Sequence, residues 1–222
     1  VGTRTPTRSG RAAATPLARE LAAHGYAVVS GMARGVDSAA HLGAVEAGGV
    51  TIGVLGHGID QIYPPENRTL FARVREGGLL LTEFVPGETP RAGNFPRRNR
   101  LIAALSDGVV VVEMGLASGA QHTVNFALEL GREVMAVPGA IDSPQSEGSN
   151  QLIRDGARAV TRAAEVIEEL EGVAVGSSRP ADPPALLLLD ERERTIVEAL
   201  TGEPRHVDAL AQATGMGGGQ LL

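Results

Sequence analysis

Phe95-Pro96-Arg97-Arg98-Asn99-Arg100-Leu101-Ile102-Ala103-Ala104-Leu105 passes through Ser106-Asp107-Gly108 into Val109-Val110-Val111-Val112. The first part reads as a short, arginine-led helix over residues 97–106. The second is an unbroken β-branched run with no polar face, which suits a strand covered on both sides. A helix delivering such a strand is the repeating unit of a parallel sheet.

Outward from this stretch the alternation repeats. Towards the N-terminus lie a helix over 9–23 closed by Gly25, a strand Ala27–Ser30, and a helix over 38–47 with Asp37 at its start. A strand Thr51–Leu55, a Pro64-Pro65 helix start running to about Glu76, and a strand Leu79–Thr82 follow. Towards the C-terminus come a helix over 118–130, a strand Glu133–Val137, a helix over 148–155, a strand Ala157–Val160 and an acidic helix over 162–171. The fold class expected is α/β, a doubly wound, mostly parallel Rossmann-like sheet spanning residues 1–171. Ser177-Ser178, Pro180 and Pro183-Pro184 mark a linker over 172–189. Residues 190–222 read as two short helices and a glycine turn, the opening of a truncated winged-helix-like segment. The element that would enter a DNA groove is mostly absent from it, so no DNA binding is expected of this segment.

Composition sets limits on function. The 222 residues are 43% hydrophobic with an aromatic content of 3%, enough for a sizeable aliphatic core. There is no cysteine, hence no disulfide framework or thiolate chemistry. No apolar run approaches the ~20 residues of a membrane span and no signal peptide opens the chain, so a cytoplasmic protein without membrane contact is expected. The net charge is −6, yet Arg4, Arg8 and Arg11 fall in residues 1–11, and Arg91, Arg97, Arg98 and Arg100 in residues 91–100, with no acid in either stretch. A local basic cleft on an acidic body focuses polyanions.

Glycine- and arginine-bearing loops fall at strand ends: Gly2-Thr3-Arg4, Ser30-Gly31-Met32-Ala33-Arg34-Gly35, Gly56-His57-Gly58, Phe95–Arg100 and Ser118-Gly119. In doubly wound sheets ligands bind at the carboxyl ends of strands, so all five would gather on one edge. Glycines let backbone N–H groups approach an anion closely, and successive N–H groups form nests. Each loop alone reads as a tight turn; together they point to a polyanion groove. Arginines at a helix start oppose its dipole, so Arg97, Arg98 and Arg100 would strain the free protein unless phosphate sits there. The plain alternative is a solvated basic turn.

Other candidates have structural readings beside the chemical ones. Ser118-Gly119-Ala120-Gln121 fits a capping box, and Asp37 a helix cap rather than a general base. Glu83 and Glu113 could form a carboxylate pair, or tie down loop N–H groups and arginines. His41 and His122 have no metal spacing, no serine sits in a nucleophile elbow, and no cofactor is implied.

Val1-Gly2-Thr3-Arg4, Ser30–Asp37 with Ala40-His41, Tyr63-Pro64 with Asn67, and Phe95–Arg100 resemble the DNA-processing protein A (DprA/Smf) family. So do Ser118-Gly119 with Thr123, Val137-Pro138-Gly139 and Gly148–Ile153, the likeness covering roughly residues 1–160 in order. The resemblance implies an extended Rossmann fold that binds single-stranded DNA, forms a homodimer and loads the RecA recombinase onto incoming strands in natural transformation, without enzymatic turnover. Carried over by motif, its DNA site comprises Arg4, Ser30, Gly31, Gly35, Gly56, Gly58, Phe95, Arg97, Arg98, Asn99, Arg100, Ser118 and Gly119. Phe95 offers a face for base stacking. Departures are Met32 and Arg34, where smaller residues are typical, the absence of the helical domain that often precedes this fold, and the early stop of the C-terminal module. The rival enzyme reading is a nucleotide-sugar hydrolase of the LOG type, which needs a PGGxGTxxE stretch that residues 114–123 lack. A third reading is a sensor of one small nucleotide.

Overall fold

A computed structural model describes residues 1–176 and 207–216. The chain forms two units, Val1–Val173 and Ala174–Leu222. The first unit alternates helices and strands as its apolar runs dictate: α1 (Arg8–Ala23), β1 (Val28–Ser30), α2 (Val36–Glu46), β2 (Thr51–Val54), a 3-10 turn Pro65–Asn67, α3 (Arg68–Gly77) and β3 (Leu79–Leu81). Then come α4 (Asn94–Ala104), β4 (Gly108–Val111), α5 (Ala120–Glu129), β5 (Glu133–Ala136), α6 (Glu147–Arg154), β6 (Arg158–Ala159) and α7 (Ala163–Gly176). In the second unit α8 spans Val207–Thr214. The expected linker beyond Gly176, the helix over 190–200 and the end of the tail lie outside the described residues. No helix among those described is long and apolar enough to cross a membrane.

All strand pairs are parallel, as continuous aliphatic runs require. They form two three-stranded parallel sheets, β1-β2-β3 and β4-β5-β6, with no strand pairing between them among the described residues. β4 and the residue after it show why the run Val109–Val112 is all valine. Val109 and Val111 face one side, packing with Ala103, Val124 and Ala127 of α4 and α5. Val110 and Val112 face the other, with Leu17, Ala39 and Val166 of α1, α2 and α7. Period-two alternation therefore buries both faces, each fully buried valine contributing about 1.5–3 kcal/mol.

The N-terminal residues link the flank of β4 to the head of α2. Gly2 bridges Glu113 in parallel, Val112 N donates to Val1 O (3.1 Å), and Thr3 N donates to Glu113 O (2.7 Å). Thr3 O in turn accepts from Val36 N at the head of α2 (3.2 Å). This crossing needs Gly35, whose φ is +78°; a Cβ there would stand 2.5 Å from Thr3 O.

Three local expectations are corrected. α4 begins at Asn94, not at residue 97, because Pro96 sits in the first turn, where no N–H is needed. The arginines therefore follow the helix start and do not crowd it. Asp37 is no cap: Gly35 is the N-cap of α2, and the Asp37 carboxylate turns back onto the preceding loop. α7 runs past residue 171 to Gly176, into the stretch read as linker.

Candidate nucleic-acid interface

The loops after β1 and β2, the start of α4 and the Ser118-Gly119 turn surround a cleft of about 500 Å³, lined among others by Thr3, Arg4, Tyr63, Phe95, Asn99 and Ser118. They meet at the carboxyl ends of the strands because every strand is parallel.

The Ser30–Gly35 loop is held by its own polar groups. Asp37 Oδ2 accepts from Gly31 N (3.1 Å) and Ala33 N (3.4 Å), and His41 Nε2 accepts from Met32 N (3.3 Å). Asn67 Nδ2 donates to Met32 O (2.9 Å), and Ser38 Oγ to Ala33 O (2.6 Å). Met32, fully buried, is thereby kept at φ +55°, where a non-glycine residue is uncommon. The expected anion nest is corrected: the amides of Gly31, Met32 and Ala33 are committed to acceptors inside the protein, because Asp37 and His41 lie behind them. Ser30 is buried too.

His41 is completely enclosed and its pKa is lowered to about 4, chiefly by burial. It is therefore neutral. With Nε2 accepting from Met32, Nδ1 carries the proton and donates to Thr51 Oγ1 (2.7 Å), whose hydroxyl donates to Val28 O.

The three arginines of α4 diverge. Arg98 is 4% exposed; its Nη1 donates to Gly31 O (2.8 Å) and to Val54 O, and its Nε to Asn99 Oδ1 (3.3 Å). Burial lowers its pKa to about 10, the nearby Asp37 opposing that shift, so it stays charged at neutral pH. The phosphate-gripping role expected of Arg98 gives way to a structural one, since its donors close the carbonyl ends of β1 and β2. Gly31 accommodates it: a Cβ there would lie 2.5 Å from Arg98 Nη2. Arg97 is exposed and stands over the Phe84 ring, 5.8 Å from its centroid. Arg100 pairs with Glu83.

On the cleft side, Arg4 is exposed and lies over Phe95 at 5.3 Å, and Phe95 stacks on Tyr63 with centroids 5.7 Å apart. Tyr63 meets His57 edge-on, and His57 stacks on Phe71. Gly56 makes room for this column, since a Cβ there would stand 2.8 Å from the Phe95 ring. Gly58 N donates to Glu88 O (2.9 Å), so this glycine serves packing. Asn99 Nδ2 donates to Gly119 O (3.3 Å). The Ser118 capping box does not form: Gly119 is the N-cap of α5, Ser118 Oγ accepts only from Ala120 N (3.3 Å), and Gln121 bonds Asn125.

Arg4, Phe95, Arg98, Asn99, Ser118 and Gly119 are thus brought together, with Gly31, Gly35 and Gly56 as their supports. Arg97 and Arg100 leave α4 towards residues 83–84. Glu83 and Glu113 form no pair; Glu113 is buried and accepts from Thr7 N (2.7 Å) and Thr7 Oγ1 (2.6 Å), fixing the start of α1. Tyr63, present in the sequence only as part of a Tyr-Pro motif, is the site residue that reading by charge and glycine passes over.

Known proteins resemble this chain in sequence and fold. The chain is 42% identical over 170 residues to the DNA processing protein DprA of Bacillus subtilis, which is 77% of this chain and 57% of that one. It thus spans little more than half the length of this relative. The X-ray structure of DNA processing protein A from Streptococcus pneumoniae superposes with a TM-score of 0.71 at 40% identity, over 76% of this chain and 59% of the other. The protein of the same name from Helicobacter pylori, whose structure addresses its single-stranded DNA binding mode, gives 0.71 at 33% identity, over 78% and 79% of the two chains. With residues 1–171 matching the family described as DNA recombination-mediator protein A, the chain belongs to that family.

Proposed function

We propose that the chain binds single-stranded DNA and acts, without turnover, as a recombination mediator that loads RecA onto incoming strands during natural transformation. In this reading it works in the cytoplasm as a homodimer. Family membership and the single-stranded DNA binding of the Helicobacter relative support it. The observation that carries it is the exposed Arg4 guanidinium set over the Phe95–Tyr63 stack at the mouth of the cleft. A cation resting on an aromatic face suits a polymer of phosphates and bases: the guanidinium swings off the ring to take backbone phosphate, and the face it uncovers takes any base.

Fluorescence anisotropy with labelled oligothymidines of increasing length tests this. Affinity is expected to rise with length, to exceed that for duplex and to fall as salt rises. Saturation by a mononucleotide, or affinity indifferent to salt, would overturn it. Light scattering tests the dimer, and stimulation of RecA filament formation on single strands tests the mediator step.

A further inference from the structure

The cations at this edge fall into two groups. Arg4 and Arg97 lie over aromatic rings, and among the described residues neither is in an ion pair. Arg34 and Arg100 are each held by a glutamate, Arg34 by Glu66 and Arg100 by Glu83. Arg34 belongs to the site, lining a small cavity beneath it with Arg4, Gly56, Tyr63 and Phe95. Arg100 and Glu83 stand at the carboxyl end of β3, on the same sheet edge.

We propose that Glu66, beside the cleft through Arg34, and Glu83, farther along the same sheet edge, are competitors for DNA, occupying the arginines that a phosphodiester would otherwise take and so holding affinity below what the arginine count supplies. This rests on the single-stranded DNA reading above. A carboxylate and a phosphate present the same pair of oxygens to a guanidinium fork, so one replaces the other without rebuilding the site. Both pairs are half-exposed: the side chains retain 53% and 51% of their surface in one and 50% and 50% in the other. Ion pairs so solvated are weak enough to exchange. Arg98 shows the contrast, being closed off by carbonyls that no ligand can displace. A site that surrenders glutamates when DNA arrives also has glutamates ready to displace it. A mediator that must pass its strand to another protein needs that reversibility.

The test compares oligothymidine affinity of the unaltered chain with Glu66→Gln, Glu83→Gln and the double variant at one low salt concentration. Glutamine keeps the size and one acceptor but removes the charge. Each single change is expected to tighten binding roughly two- to fivefold, the span that an exposed pair can withhold, and the double variant by the product. Glu46→Gln frees Arg19, away from the cleft, and serves as control; it should leave affinity unchanged. Arg34→Ala placed in the Glu66→Gln background should erase the gain. Equal tightening by Glu46→Gln would reduce the effect to net charge and overturn the proposal, as would no tightening at all, or a gain that survives loss of Arg34. If the unaltered, folded chain fails to bind oligothymidine, the function reading itself falls; if it binds and the variants do not tighten, only the competition does.

Discussion

The Ser30–Gly35 loop and the first turns of α4 face each other across the base of the cleft, and they use their polar groups in opposite ways. In the loop, three successive N–H groups end on Asp37 and His41, and the Met32 carbonyl ends on Asn67. On α4, successive side chains point ~100° apart, so Arg97, Arg98 and Arg100 reach a ring, the interior and a glutamate. One region is rigid because its hydrogen bonds are closed internally; the other offers charge because a helix cannot turn three arginines inward. Rigidity and ligand contact are therefore supplied by different segments, joined at Arg98.

That division breaks first at the joint. Arg98→Ala should leave Gly31 O and Val54 O without their donor and strip Asp37 of its nearby cation. A loss of about 3–5 kcal/mol in chemical denaturation is expected, and a fall below 1 kcal/mol would show that the loop holds without α4. Acid attacks the same loop from the other side. His41 has a folded pKa of about 4 against 6.5 for an unperturbed histidine. Between these values the unfolded chain takes up a proton that the folded chain refuses. Stability should thus be full above pH 6.5 and fall by about 3 kcal/mol as pH drops through 6.5 to 4. Urea titrations across that window, repeated on His41→Asn, check it; a variant with the same slope would assign the loss to other groups.

On the open side the effects should appear in binding. Phe95→Ala should weaken oligothymidine binding by about 1–3 kcal/mol, the usual cost of a lost stacking face. Its melting temperature needs to be read alongside, since Tyr63 loses its neighbour too. Arg97→Ala should leave stability unchanged and reduce the salt slope by about 0.7, one phosphate on a single strand. An unchanged slope would remove Arg97 from the DNA path and confine contact to the Arg4 side.

Much of the fold was legible in the sequence because parallel strands buried on both faces have to be aliphatic throughout, as β4 is. The sequence places the start of α4 at residue 97, three residues late, although Pro96 is at home in a first turn. The gathering of Arg4, Phe95 and Ser118 followed from the rule that ligands sit at carboxyl strand ends. The fates of the arginines were not legible, since they depend on helical phase and on partners distant in the chain, such as Val54 and Glu83. Asp37 misled for a related reason: a carboxylate in a first turn can cap its own helix or reach back to the loop before it. The hydrogen bonds from Gly31 N and Ala33 N to its carboxylate settle which.

Residues 1–4 touch the flank of β4 and the head of α2 before reaching the cleft. They bond Glu113 beside β4, then Val36 at the head of α2, and end with Arg4 over Phe95. Mechanically this is a strap fastened at two points with its free end over the ring. A sliding of the β4-β5-β6 sheet past α2 would have to stretch or release one fastening, and either would change how Arg4 sits over the Phe95 ring. The ring is thus placed to act as a gauge of shear between that sheet and α2, and a fluorinated phenylalanine at position 95 would register that movement as a change in its resonance.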